Sequence, residues 1–291
     1  MGTGRITISS LQKIAVGIER RGPHAWGMSW IDSVGRIHSY KAPGSILEGL
    51  DIIDKLGDFD PSGVIMHTRY STHGSPEFNE NNHPHPSDGG WFVHNGQIPN
   101  WRELIHSNNL MPLTDCDSEV LGLMAQCREG SLIRRWRYAI NQCELTRPLC
   151  VAGLWSRPMR AILAKRGNPL MLSRGTTGNM YFSSLREGMP GKPKRAPESR
   201  LVCFDLNQQT TSFEALTPWI DTGVNIAGSG SAMSRANSAS RLISETVDRH
   251  TRARTILDDA GDQLSLPIRS SKRSKRSKRA KKIDRRNGWD I

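Results

Sequence analysis

No cysteine precedes Cys116 in this 291-residue chain. The five that follow, Cys116, Cys127, Cys143, Cys150 and Cys203, are odd in number and have no close metal-ligand spacing. That pattern argues against a disulfide framework and fits reduced, mostly buried thiols. No apolar run reaches the roughly 18 residues that a transmembrane helix needs. The N-terminus lacks the continuous apolar core of a secretory signal. Gly2 would suit N-myristoylation, but Ile6 stands where Ser or Thr is required. These absences predict a cytoplasmic protein with no membrane partner.

Acidic charge is scarce at one end. The net charge is +12, yet residues 269–286 hold 11 Lys/Arg against one Asp, so about +10 belongs to this run and the remainder is close to neutral. The high pI therefore describes a tail. A self-repelling run without apolar pattern should be disordered. It would attract nucleic acid by counterion release, or an acidic protein partner, or carry a targeting signal; the bland alternative is a solvated tail with no partner. Aromatic residues do not interleave with it, which counts against base stacking. With 36% hydrophobic residues the chain can bury one sizeable core but hardly two. We expect a globular region over 1–219, a Ser/Gly-rich linker with a short helix near 242–257 over 220–268, and a basic tail over 269–291.

Chemistry-bearing residues concentrate in 64–100, VIMHTRYSTHGSPEFNENNHPHPSDGGWFVHNGQIPN. Val64 to His67 and Trp91 to His94 read as short apolar strands flanking a Gly/Pro/Asn-rich loop, and Asn95-Gly96 is the strongest turn dipeptide in the chain. Polar residues on strand ends around a loop are a common way to build a site. Taken alone, Asn95-Gly96 is a plain hairpin turn, and His67, His83 and His85 are hydrogen-bonded scaffold; they would suit a metal, but no cysteine or carboxylate completes a set in the sequence.

Three ordered blocks, His67 to Gly74 (HTRYSTHG), Asn81 to His85 (NNHPH) and Val93 to Gly96 (VHNG), resemble the glutamine-hydrolysing domain of class II glutamine amidotransferases, the N-terminal nucleophile group that includes glucosamine-6-phosphate synthase. Further matches are Arg21-Gly22, the segment Asp117-Ser118-Glu119-Val120, Ala164 to Leu170 and Tyr181 to Ser184, so the likeness runs from about Arg5 to Trp219. A synthase domain beside it would not fit in the remaining length. The resemblance implies that Arg69 pairs bidentately with the α-carboxylate of glutamine and that Asp117 holds its α-ammonium. It further implies that Asn95 and Gly96 form the oxyanion hole, and that Tyr70, Thr72 and His73 belong to a loop over the substrate. Arg21, His67 and His83 would support the site; the bland alternative for Arg21 is a surface helix end favoured by the dipole. His24 departs from the family's usual Asp. The family uses no metal or other cofactor, so none is expected here.

The largest departure is the nucleophile. In the family an N-terminal cysteine attacks the carboxamide and its own α-amine serves as base, since an amine of pKa about 8 accepts protons at neutral pH. This chain opens Met1-Gly2-Thr3-Gly4, and the first strand as well as the cysteine is missing from the pattern. We expect a truncated start in preference to a natural pseudoenzyme.

Along the chain, Leu11, Ile14, Ala15 and Ile18 predict a helix after Ser9-Ser10 as cap. Helices are expected over 118–127 and 134–143, and strands over 149–155, 160–165, 170–173, 180–183, 201–205 and 211–216. Residues 188–198 read as an inserted loop. The predicted fold class is α+β, a four-layer αββα sandwich of N-terminal nucleophile hydrolase type. The expected function is glutamine hydrolysis, with ammonia passed to a synthase partner. The alternatives are hydrolysis of another γ-glutamyl amide and a catalytically silent subunit that binds glutamine or a partner.

Overall fold

The computed structural model describes residues 6–208, 210–218 and 220. In chain order the helices and strands are α1 (Ile8–Ile18), β1 (Ala25–Ile31), β2 (Ile37–Pro43), α2 (Leu50–Asp54), β3 (Gly63–Arg69), β4 (His85–Ser87), β5 (Gly90–Gly96), α3 (Trp101–Ser107), α4 (Glu119–Gln126), α5 (Leu132–Gln142), β6 (Leu149–Ser156), β7 (Met159–Arg166), β8 (Met171–Arg174), β9 (Met180–Ser183), β10 (Lys194–Arg195), β11 (Arg200–Asp205) and β12 (Thr211–Ala215). The expected linker, its short helix and the basic tail lie outside the described residues.

Side-chain alternation decides the layering, because successive strand residues point to opposite faces. In the six-stranded sheet, ordered β12-β11-β7-β6-β5-β4, Val151, Ile162, Ala164 and Leu201 face α4 and α5 and pack on Val120, Leu121, Met124, Trp136 and Ile140. Their neighbours Ala152, Leu154, Ala161 and Leu163 face the other way and meet Ile31 and Ile65 of a three-stranded sheet ordered β2-β1-β3. The outer face of that smaller sheet, through Trp26, Met28 and Trp30, is covered by Leu11 and Ala15 of α1 and Leu50 and Ile53 of α2. Helix, sheet, sheet, helix is the αββα arrangement expected. All the sheet pairings are antiparallel.

A third sheet, β10-β8-β9, adds Leu170, Leu172 and Phe182 to the core between the two sheets. Tyr181 of β9 packs on Ile14 and Ile18 of α1, with Met66 of β3 alongside. Among the described residues, β3 and β9 each end their sheet, so each has one edge without a ladder partner there. Both edges border a cavity of about 1420 Å3, roofed by Leu11, Ile14 and Ile18 and floored by Cys150, Ala152 and Leu163.

Several local expectations need correction. The N-cap of α1 is Thr7, with Ser9 and Ser10 already inside the first turn. Asn95 and Gly96 are no hairpin turn; they are the last residues of β5, opposite Cys150 and Leu149 of β6. The segment 188–198 includes β10, two residues paired with Leu172 and Met171. β2, α2, β4 and α3 had no counterpart in the sequence reading. Among the described residues, no helix is long and apolar enough to cross a membrane.

Candidate active site

β3 and β5 belong to different sheets, and their C-terminal ends bring Arg69 and Asn95-Gly96 to the lining of the same cavity. Arg21, His67, Arg69, Tyr70, Thr72, His83, Asn95, Gly96 and Asp117 all line it. His73 does not; its ring lies 6.2 Å from that of Trp101.

Arg69 is buried and already engaged. Nη1 donates to Asn82 Oδ1 at 2.8 Å, and Nη2 donates to the carbonyls of His73 and, at 3.1 Å, Gly74. Of its five N–H groups, Nε–H and one Nη1–H are left, and these do not sit side by side as a fork. In this conformation the guanidinium therefore braces the 71–74 loop, and the bidentate grip on a carboxylate implied by the sequence requires that loop to release Nη2. Ser71 Oγ adds a bond to the Gly74 carbonyl at 2.8 Å, and the Ser71 N–H donates to His24 Nδ1 at 3.1 Å. His24, in place of the family's Asp, also packs its ring 4.6 Å from that of Tyr70, whose side chain is otherwise exposed.

The opposite wall is set by Asp117. Its Oδ2 accepts the Ile98 N–H at 2.8 Å, which fixes the carboxylate and leaves Oδ1 toward Cys116 Sγ (3.9 Å) and Ser118 Oγ (3.5 Å). Glu119 holds the approach to this residue by accepting from the Leu113 and Thr114 N–H groups and from Thr114 Oγ1. Asn81 Oδ1 accepts the Asp115 N–H at 2.9 Å. Asn81 and Asn82 thus tie the loop before β4 to Asp115, two residues before Asp117, on one side and to Arg69 on the other.

The Asn95-Gly96 pair is fixed by its backbone. Asn168 Nδ2 donates to the Asn95 carbonyl at 2.6 Å and to that of Pro148 at 3.3 Å. Gly96 has φ of 150°, and a Cβ there would lie 2.6 Å from the Pro148 carbonyl oxygen and 2.9 Å from His94 Nε2. Only glycine meets both conditions without displacing β6's approach. His94 Nδ1 and Ser118 Oγ share a hydrogen bond of 2.9 Å, and burial holds its imidazole below the usual histidine range. Arg21 Nη2 donates to the Ser184 carbonyl at 3.4 Å, and burial lowers its pKa first, with Arg20 adding to the effect. Asn168 and His94 were not singled out from the sequence; their roles come from strand register and loop return.

Two cysteines line the cavity, Cys116 and Cys150. Burial pushes both thiols up, Cys150 to about 12, with Asp117 adding to the effect on Cys116. Neither stands as a thiolate at neutral pH, so neither has the character of a nucleophile.

His67, His83 and His85 form a chain of rings, with centroids 4.1 Å apart for the first pair and 4.7 Å for the second. Both nitrogens of His83 and of His85 are buried without a hydrogen-bond partner. The expectation that no cysteine completes a ligand set here is overturned by the fold, which brings Cys116 beside His83 and His85.

No protein-family model matches the chain. It is 31% identical over 192 residues to a glutamine–fructose-6-phosphate aminotransferase (isomerizing) of Francisella tularensis, a match covering 64% of this chain and 30% of that protein. The enzyme of the same name from Yersinia pseudotuberculosis is 33% identical over 173 residues, 57% of this chain and 28% of the relative. The match thus spans less than a third of the length of these curated relatives. Among solved structures, glutamine phosphoribosylpyrophosphate amidotransferase from B. subtilis superposes with a TM-score of 0.59 at 17% identity, over 73% of this chain and 47% of that one. An allosteric regulatory enzyme of purine biosynthesis gives 0.54 at 18% identity, over 72% and 46%. The structural neighbours share the fold of this chain. Over the matched span the chain is similar to the glutamine-dependent aminotransferases that include glucosamine-6-phosphate synthase, and it shares the fold of class II glutamine amidotransferases of N-terminal nucleophile type.

Proposed function

We propose that the cavity mouth binds L-glutamine by its amino-acid end and presents the carboxamide to the Asn95-Gly96 pair, for hydrolysis to glutamate and ammonia that passes to a synthase partner. One observation carries this: a buried guanidinium, a buried carboxylate with one oxygen free of backbone, and a strand-end Asn-Gly all line one cavity. The carboxylate and ammonium of an amino acid are complementary to the first two. The Asn95 side-chain amide and the Gly96 N–H are donors for the oxygen on which charge develops.

Hydrolysis needs a nucleophile, and the described thiols are unsuited to it. The family supplies one on an extended N-terminal segment. The free edges of β3 and β9 flank the cavity, where such a segment would find main-chain partners on both sides. A catalytically silent, glutamine-binding subunit is the second reading, favoured by the raised thiols of Cys116 and Cys150.

Calorimetric titration of the purified chain with L- and D-glutamine tests the binding claim. Binding of the L isomer alone, weakened by Asp117→Asn and by Arg69→Lys, is expected. Equal response to both isomers, or indifference to both substitutions, would overturn it. Ammonia release from the chain as given should be absent; release abolished by Asn95→Ala would refute the silent state.

A further inference from the structure

The sharpest unexplained feature is a set of side chains with nothing to do. His83 and His85 are buried, and four ring nitrogens lack any hydrogen-bond partner. A buried polar atom left unpaired is costly, so natural proteins rarely keep four in one place without a reason. Cys116 is buried against them, and one ligand atom from each of the three residues lies within 4.8 Å of the other two.

From these contacts we infer that His83, His85 and Cys116 form a buried three-coordinate site for a soft monovalent metal ion, Cu(I). Nitrogen and sulfur ligands sit about 2.0–2.3 Å from a bound ion, so three of them in a trigonal set lie about 3.5–4.0 Å apart. Separations of up to 4.8 Å therefore require the three side chains to close by about an ångström on binding, by rotation of the two rings and the thiol. Thiolate and imidazole donors favour Cu(I) and Zn(II) over hard ions.

Charge decides between those two. On binding, the Cys116 S–H bond breaks, its proton leaves to solvent and a metal–sulfur bond forms. A thiolate and two neutral imidazoles around a monovalent ion sum to zero; around a divalent ion they sum to plus one. Two cations already stand next to the site. Lys41 Nζ donates to the Asn82 carbonyl at 2.8 Å, and Arg69 Nη1 donates to the Asn82 side chain, both on the residue preceding His83. The Asp117 carboxylate, 3.9 Å from Cys116 Sγ, offsets one of these cations; a neutral complex leaves that balance unchanged, whereas a divalent ion adds a further buried positive charge. Three ligands without a fourth also suit Cu(I), whereas structural zinc takes four.

The site ties β4 and its preceding loop to Cys116, the neighbour of Asp117. Its occupancy does not depend on whether the mouth binds glutamine.

The test uses the full chain with Cys127→Ser, which removes the exposed thiol. Cu(I) is supplied anaerobically against bathocuproine disulfonate as competitor, and X-ray absorption at the copper edge reads the ligands. One equivalent bound by one sulfur and two nitrogen donors, with affinity falling at least 100-fold in Cys116→Ser and in His85→Gln, is expected. Thermal unfolding of each variant reports folding; if His85→Gln does not fold, the milder Cys116→Ser decides. No uptake, or uptake undiminished by Cys116→Ser, would overturn the site. Tighter retention of Zn(II) than of Cu(I) would overturn the choice of ion.

Discussion

Arg166 should be the costliest single residue to replace outside the cavity. It is fully buried at the end of β7, where Nη1 donates to the Ile140 carbonyl at 3.0 Å and Nη2 to those of Cys143 (3.2 Å) and Glu144 (3.0 Å). These are the carbonyls at and just beyond the C-terminus of α5, where the helical ladder runs out; that of Ile140 also accepts the Cys143 N–H at 3.2 Å. Arg166→Met keeps the length and much of the volume but removes three charge-assisted bonds, each worth about 1.5–3 kcal/mol. Relief of guanidinium desolvation offsets part of this. A net loss of about 2–4 kcal/mol is expected, and for a domain of this size a Tm lower by about 4–16 °C. Urea unfolding followed by tryptophan fluorescence measures it, with an unchanged m-value showing that both end states are preserved. Arg166→Lys should fall between, because one ammonium cannot fork to three carbonyls. A loss under about 1 kcal/mol in Arg166→Met would show that the helix end finds other partners and that the guanidinium is no brace.

Three further outcomes follow from particular contacts. Gly22→Ala places a Cβ 2.0–2.1 Å from the Arg69 carbonyl carbon and the Tyr70 nitrogen; it should cost more than about 2 kcal/mol and weaken glutamine binding together, and a neutral effect in denaturant titration would refute the packing. Asp117→Asn keeps an acceptor for the Ile98 N–H but loses the charge, so L-glutamine affinity measured by calorimetry should fall at least about tenfold. His94 is held neutral in the folded state and titrates near 6.5 when unfolded. Its contribution to stability is therefore whole above about pH 6.5 and is lost as pH falls below it, since the unfolded chain takes the proton first. The loss is up to about 1.4 kcal/mol per pH unit. In His94→Gln the slope of stability against pH between 6.5 and 5 should be shallower by that amount; an unchanged slope would mean the histidine is accessible to protons.

The central strands were legible as short, nearly continuous apolar runs, most plainly β6, whose successive residues Val151 and Ala152 meet helices on one face and the second sheet on the other. The α5 helix was legible from helical spacing, with Trp136, Ala139 and Ile140 on its buried face. β2 was not, because its residues are only partly buried and carry no clean alternation, and β4 hides inside a Pro-rich loop. The residue types of the site were readable from the motif blocks, but partners set by long-range contact were not. Asn168 reaches Asn95 across 73 positions, and Cys116 meets His83 and His85 from another segment. Asn95-Gly96 misled by composition: a turn-forming dipeptide was overruled by pairing with β6.

Arg69's prior commitment to the loop carbonyls makes the binding step an exchange. An incoming carboxylate must outcompete main-chain oxygens that already satisfy the guanidinium, so much of the attraction is spent on displacement and affinity is held to a modest level. The same exchange makes the vacant mouth self-sealing: the charge that would draw stray anions is masked until a ligand with the right second handle, one that Asp117 can grip, tips the balance.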